Sequence, residues 1–548
     1  MKKRITSLVL VCIVTSLTHN LNSAQIQSQL TESNFSNYEN NTPEGTIFIK
    51  RYLFEGNTVF SDSELLSIIS QYQNKQVSRK QLAEAKNIIS NLYYANGYIN
   101  SGAIIPDQEL KDGALKILII EGKATSVDIT GNKKLKASYY KSRLEAIMSD
   151  NIYPLNINHL QDALNLLSQN PRVETFHVAI EPEEKLGHAR IKIKIEESNH
   201  YHLATIFNNH QSPGVGSYCN ELIYQHLNVF GFGDTFNLTY GVTQGRDDYS
   251  TAYTFPISSM DSSISLLFDR TKSAIISEPF NVLDIKSESD RFAIFINHPV
   301  YKTTSSQFTI GLGLVTLNNK TYIFDDVPIS FSEGYDNGES KVTKIDFSQE
   351  WLFRKMDQVI IANSTFSFGL DCLQSTVNGK EPDGKFTSWS AQLHWLSKSL
   401  KNQREMLFKL NLQVSLDHLL PGNQFSMGGA STVRGYRENQ ITTDNGIMIS
   451  NEFRFPLYKI QLPWVTKKES DGQMQIIPFA DFGKGWNTDR SKPEIDMIYS
   501  IGLGMRWLIS RQVLMECYWG KALKAVPESN NYNIQDDGIH FNFQAKLF

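Results

Sequence analysis

Gly428-Gly429-Ala430-Ser431-Thr432-Val433-Arg434-Gly435-Tyr436-Arg437 lies at the centre of a polar segment, 417–445, set between two stretches that alternate with period 2. Upstream, Phe408, Leu410, Leu412, Val414 and Leu416 interleave with Lys409, Asn411, Gln413 and Ser415. Downstream, Ile447, Ile449, Phe453 and Phe455 interleave with Ser450, Glu452 and Arg454. Such alternation marks strands with one apolar and one polar face. Loops longer than about 12–15 residues between strands are usually functional or disordered. This one carries Arg434 between β-branched Val433 and Gly435-Tyr436.

Further along, Phe479-Ala480-Asp481-Phe482-Gly483 reads as strand. Period 2 puts Phe479, Asp481 and Gly483 on one face and Pro478, Ala480 and Phe482 on the other. The residues alone leave open a solvated loop arginine and an unrelated strand aspartate.

From Tyr201 to Phe548 the chain reads as about 16 strand-like segments separated by turns, an even number suited to a closed antiparallel barrel. The clearest are Phe236–Thr243 and 405–416. Periodicity does not say whether the apolar face turns inward, as in a soluble domain, or outward into lipid. The strand number and the start of the chain favour lipid over a periplasmic β protein. Lys2, Lys3 and Arg4 precede an apolar run (Ile5, Leu8, Val9, Leu10, Val11, Ile13, Val14) and a small-residue site at Ser23-Ala24, so 1–24 reads as a signal peptide. No later stretch has the 18 or more apolar residues of a membrane helix. Cys219, Cys372 and Cys517 are too few and too far apart for a disulfide framework.

Residues 25–45, rich in Gln, Asn and Ser, read as a flexible arm. Residues 46–122 read as β-α-α-β-β, with capping boxes at Ser61/Glu64 and Ser78/Gln81 and a helix stop at Gly97. Residues 123–198 repeat the order, with Ile129-Thr130-Gly131-Asn132 in the place of Phe54-Glu55-Gly56-Asn57, which marks two tandem modules. The net charge of −4 points to no nucleic-acid partner. The chain has no phosphate-binding loop, no His-Glu-x-x-His helix and no Gly-x-Ser-x-Gly elbow, so neither an enzyme nor a cofactor is expected. His200, His202 and His210 read as rim histidines clustered at the barrel entrance, not as a metal site.

Val433-Arg434-Gly435-Tyr436 resembles the loop motif of the outer-membrane superfamily that joins periplasmic POTRA (polypeptide-transport-associated) domains to a β-barrel. Phe479, Asp481 and Gly483 resemble its F-x-D-x-G strand motif. In the first module Gly97-Tyr98-Ile99, Pro106-Asp107-Gln108, Asp112-Gly113 and Glu121-Gly122 resemble, in order, the POTRA domain of two-partner secretion transporters. The fold implied is a transmembrane β-barrel at 199–548, with a lumenal loop at 417–445, preceded by two periplasmic α/β POTRA domains at 46–122 and 123–198. The resemblance also implies an Arg434–Asp481 pair in the lumen and an outer-membrane location. A C-terminal aromatic, Phe548, resembles the signal read by the barrel-insertion machinery, although it is out of phase with Phe541, Phe543, Ala545 and Leu547. The implied function is export of one large secreted exoprotein, recognised through its N-terminal secretion domain. Two POTRA modules rather than a longer array speak against an outer-membrane assembly factor of the same superfamily. The modules and the loop motif speak against a small-solute porin.

Overall fold

The computed structural model describes residues 45–148, 153–324, 326–378, 382–463, 465–466, 468–469, 471–489, 491–527 and 531–548. The expected signal peptide and all but the last residue of the expected arm lie outside them. The chain divides into two compact units at Ser198/Asn199.

The first unit holds two modules of one topology. In the first, the strand Ala114–Ile120 is central, parallel to Arg51–Glu55 and antiparallel to Gly102–Ile104. The helices Asp62–Ile69 and Arg79–Ala95 cover one face of this sheet, burying Leu65, Ile69, Ala85, Ile89 and Tyr93 against Leu115, Ile117 and Ile119. Both helices start in complete capping boxes, Ser61 with Glu64 and Ser78 with Gln81, which satisfy backbone N–H groups that the first turn leaves unpaired. The second helix ends at Gly97, whose φ of +90° is free of side-chain strain only for glycine. There the Tyr98 N–H returns to the Tyr93 carbonyl and the Gly97 N–H to the Tyr94 carbonyl, each at 3.0 Å.

In the second module His188–Glu197 is central, parallel to Lys123–Thr130 and antiparallel to Val173–Pro182, with the helices Ala137–Met148 and Ile157–Ser168 packed on it. The repeat extends to individual hydrogen bonds. Asn57 Nδ2 donates to the Phe60 carbonyl at 2.9 Å, and Asn132 Nδ2 donates to the Leu135 carbonyl at 2.8 Å. The modules are joined by backbone bonds from Leu155 N–H to the Gly122 carbonyl (2.7 Å) and from Ile157 N–H to the Gly97 carbonyl (2.9 Å). The stretch from Ile47 to Phe54, which reads as one strand, is divided: Ile47–Ile49 pairs with Lys75–Val77, a strand of three residues that carries no readable period, and Arg51–Glu55 joins the main sheet.

The second unit is a closed antiparallel barrel of sixteen spanning strands, from Tyr201–Asn208 to Ile539–Lys546; the two-residue strand Val327–Pro328 is an additional pairing at its edge. Its burial pattern is that of a barrel in lipid. On the strand Ser263–Ala274, Leu266 and Phe268 are over 40 % exposed, whereas Asp269 and Thr271, on the opposite face, are each 6 % exposed. Turning Leu and Phe to water while burying Asp would cost about 25 cal/mol for each Å² of apolar surface left wet. With hydrocarbon outside and a polar lumen inside, the same arrangement is favourable. The lumenal wall is charged in pairs: Arg291 reaches Asp269 at 3.2 Å, and Lys344 reaches Asp346 at 3.1 Å.

Candidate functional site

The segment between the strands Glu405–Ser415 and Asn445–Lys459 is not structureless. It carries a short ladder of its own, Phe425–Met427 with Ile441–Thr443, and the Val433-Arg434-Gly435-Tyr436 motif occupies the tip of that hairpin. Val433, Tyr436, Phe425, Met427 and Ile441 share a buried cluster with Met448 and Ile498 of the wall. The loop is thus packed against the lumenal face.

Arg434 is 3 % exposed and spends its donors on two strands. Its Nε and Nη2 grip Asp481 side-on, both at 2.8 Å, and its backbone N–H adds a bond to Asp481 Oδ2 at 3.0 Å. Nη1 donates to Glu452 Oε1 at 2.8 Å, and Nη2 also donates to Ser450 Oγ at 3.1 Å. Strand register explains the convergence. Ser450 lies opposite Asp481 and Glu452 opposite Phe479, so all four side chains form one inward patch. The guanidinium carbon lies 3.6 Å from the centre of the Phe479 ring and 4.9 Å from that of Tyr518, two rings that meet each other edge to face, so the cation rests in the corner they form. Asp481, Glu452 and Glu405 face Arg434, Arg454 and Lys409, so the six charges of the patch balance.

Small residues let the hairpin come this close. A Cβ on Gly483 would sit 2.9 Å from Met427 Sδ and 3.0 Å from Val433 Cγ2. Gly435, at φ +90°, approaches the wall so closely that its Cβ would lie 2.8 Å from the Gly520 carbonyl oxygen. The Tyr436 hydroxyl lies 2.9 Å from the Tyr499 carbonyl and accepts from Lys524 N–H at 3.1 Å.

The structure therefore places Val433, Arg434, Gly435, Tyr436, Phe479, Asp481 and Gly483 at one site. Sequence reasoning missed Glu452, Ser450, Lys409, Arg454, Glu405 and Tyr518 as members of it. Their signal was the polar phase of their strands, but register across strands is set by pairing and is not readable from one strand. The first-module motif residues lie elsewhere and do structural work there. The Glu121 carboxylate accepts from Thr58 N–H (2.6 Å), Val59 N–H (2.8 Å), the Thr58 hydroxyl and the Tyr93 hydroxyl (2.8 Å), tying the central strand to the turn after the first. Burial alone would raise its pKa, but the Thr58, Val59 and Tyr93 donors outweigh burial and hold it below the usual carboxylate range. Glu197 takes the same place in the second module, accepting from Lys134 N–H at 2.9 Å and Leu135 N–H at 3.0 Å.

Gln108 pairs its amide with both backbone groups of Lys116, at 2.7 and 2.8 Å, and so continues the sheet edge beyond Ile104. Tyr98 packs edge-on against Tyr93 and Phe60, the Pro106 carbonyl accepts from Gln108 Nε2 at 3.3 Å, Gly113 sits in a turn at φ +68°, and Phe548 lies exposed past the last strand. One expectation is corrected. The strand Tyr201–Asn208 separates His200 and His202 from His210, which lies at its opposite end, so the three do not cluster.

Comparison with known proteins follows this geometry. The signature of the family described as haemolysin secretion/activation protein ShlB/FhaC/HecB matches residues 187–507, and that of the ShlB-type POTRA domain matches 47–122. The chain is 22 % identical over 410 residues to the heme/hemopexin transporter protein HuxB of Haemophilus influenzae strain 86-028NP, covering 71 % of this chain and 69 % of that one. It is 20 % identical over 489 residues to the outer membrane transporter CdiB of Dickeya dadantii, covering 86 % and 83 %. The solved structure of CdiB from Escherichia coli superposes with a TM-score of 0.64 at 17 % identity, covering 98 % of each chain, a likeness of fold. With more than half its length matched by the family signature, the chain belongs to the ShlB/FhaC/HecB family and is an outer-membrane two-partner secretion transporter.

Proposed function

We propose that this transporter captures one large exoprotein in the periplasm through its POTRA modules and passes it, extended, through the barrel lumen once the 417–445 loop gives way. The observation that carries the reading is the latch. A loop packed against the lumenal wall is held at its tip by one buried, charge-balanced cluster around Arg434, an arrangement that can be released as a unit. Capture is supported by a groove of about 330 Å³ between the helix residues Arg79, Leu82 and Lys86 and the edge residues Ala103, Ile104 and Ile105. An extended segment can add as a strand along such an edge and seat alternate side chains in the groove. The sequence has no nucleotide-binding loop, so the drive is folding of the exoprotein outside, where burial of its apolar surface opposes return. The transport needs no enzymatic step.

The test is deletion of residues 46–122, measured as heat-modifiable barrel in the outer membrane alongside exoprotein in the medium. The barrel is expected to insert normally while export stops. Normal export by the truncated chain would remove the capture step from this reading.

A further inference from the structure

The seam where the first strand, Tyr201–Asn208, meets the last, Ile539–Lys546, is short. Its ladder runs over five pairs, from Asn542↔Asn208 to Lys546↔Ala204, where the other ladders between spanning strands run over seven or more among the described residues. Beyond Asn208 the first strand leaves the ladder, and side chains take over the pairing. Asn209, fully buried, donates from Nδ2 to the Ile539 carbonyl at 2.9 Å and accepts at Oδ1 from Phe541 N–H at 2.8 Å. Its amide thereby stands in for the backbone of a continued strand.

Gln535, also fully buried, completes the closure from the loop before the last strand. Its Nε2 donates to the carbonyls of Asn209 (2.6 Å) and Gln211 (2.8 Å), and its Oε1 accepts from Glu438 N–H at 3.1 Å. Glu438 belongs to the lumenal loop, four residues past Arg434. Next to it, Arg437 grips Asp536 with Nε at 2.5 Å and Nη2 at 2.6 Å and reaches the Asn531 carbonyl at 2.5 Å. One amide thus bridges three parts of the barrel: the end of the first strand, the segment leading into the last strand, and the latch hairpin.

We propose that Asn209 and Gln535 are positioning residues that clasp the barrel seam and couple it to the lumenal loop, so that the loop's departure loosens the seam. Buried amides have few alternatives once a partner leaves, because an unmet donor or acceptor there costs its full desolvation. Withdrawing the 428–438 hairpin removes Glu438 N–H from Gln535 and Arg437 from Asp536, so that the 531–538 segment keeps its bonds from Asn531 to the Glu278 carbonyl and from Asn533 to Ser217 but loses those that fix Gln535 as the cap of Asn209. The functional consequence rests on the export reading, since an extended polypeptide in transit is what displaces the loop; the coupling itself does not.

The experiment is deuterium uptake of the full chain reconstituted in phospholipid vesicles without exoprotein, comparing the parent with Arg437→Ala, Gln535→Ala and the double variant. Either single substitution is expected to speed uptake across 539–546 by about tenfold, within the range seen for residues sharing one hydrogen-bond network. The double variant should go no faster than Gln535→Ala alone. Gln535→Glu, which keeps the acceptor for Glu438 but loses the donors to Asn209 and Gln211, should loosen 539–546 while 428–438 stays protected. The ladder of Gln358–Leu370 with Thr387–Lys398, remote in register from the seam, serves as the check that the barrel is intact. If Arg437→Ala mobilises 428–438 while 539–546 keeps the parent rate, or if the two single effects add, the coupling is refuted. Should Gln535→Ala fail to insert, Arg437→Ala alone decides between these outcomes. No exoprotein is present, so a failure of the export reading leaves this result unaffected.

Discussion

Arg434 and Glu121 hold their surroundings by different chemistry, and each can be tested by one substitution. Removing the Arg434 guanidinium leaves Asp481 and Glu452 buried, and the loss of one partner from a buried ion pair costs about 3–5 kcal/mol. Arg434→Ala is therefore expected to free the hairpin, seen as cleavage within 428–438 by external protease, while the barrel remains heat-modifiable. Arg434→Lys should restore protection only in part, since an ammonium cannot grip Asp481 side-on. In a cycle of Arg434→Ala, Asp481→Ala and both on export rate, simple addition of the two losses would show the residues acting independently. At Glu121 the variable is pH. Its folded pKa lies below the unfolded carboxylate value, so its contribution is complete above about pH 4.3 and is lost as pH falls through the folded value. The urea midpoint of the 45–198 unit is expected to fall in acid, and Glu121→Gln to flatten that fall while lowering stability at neutral pH by about 1.5–3 kcal/mol. An unchanged acid profile in the Gln variant would assign the acid sensitivity to other groups.

At the scale of elements, the edge strand Gly102–Ile104 qualifies the idea of an open docking edge. The Ala103 N–H, which points away from the sheet, already donates to the Ser90 hydroxyl at 3.0 Å. An incoming strand must displace that hydroxyl. Ser90→Ala is expected to tighten binding of the exoprotein's secretion domain about fivefold, equivalent to one hydrogen bond of about 1 kcal/mol. Titration of the secretion domain against the 45–198 unit measures it. Unchanged or weaker binding would move the docking site off this edge. Elements of this size were legible where local chemistry specifies them. Two capping boxes and Gly97 delimit the helices of the first module, and the alternating runs of 405–416 mark a wall strand because one face meets lipid. What stayed hidden depends on partners distant in the chain. Ser450 and Glu452 were visible as polar positions, but that they lie opposite Asp481 and Phe479 follows from a register fixed only when the strands pair. The Asn209 and Gln535 contacts join residues more than 320 apart, and nothing in either neighbourhood announces them.

For the whole molecule, the question is what a wide polar barrel does when no exoprotein is in it. The wall presents charges and hydroxyls inward, so an unobstructed lumen would conduct ions freely and leave the outer membrane permeable. The 417–445 segment opposes this at two levels. Its root, Leu419 and Leu420, seats in an apolar cluster with Val342 and Phe386, while its tip is held by Arg434. A loop anchored at both ends samples open states only when the tip releases. The intact transporter in a planar bilayer is therefore expected to show intermittent openings, Arg434→Ala more frequent ones, and a chain lacking 425–443 steady conductance. Because the Arg434 cluster is buried, salt screens it weakly, so opening frequency in the intact chain should change little with ionic strength. If deletion of the hairpin leaves the bilayer silent, the lumen is closed by something other than the loop, and release of the Arg434 latch cannot be the step that opens the path.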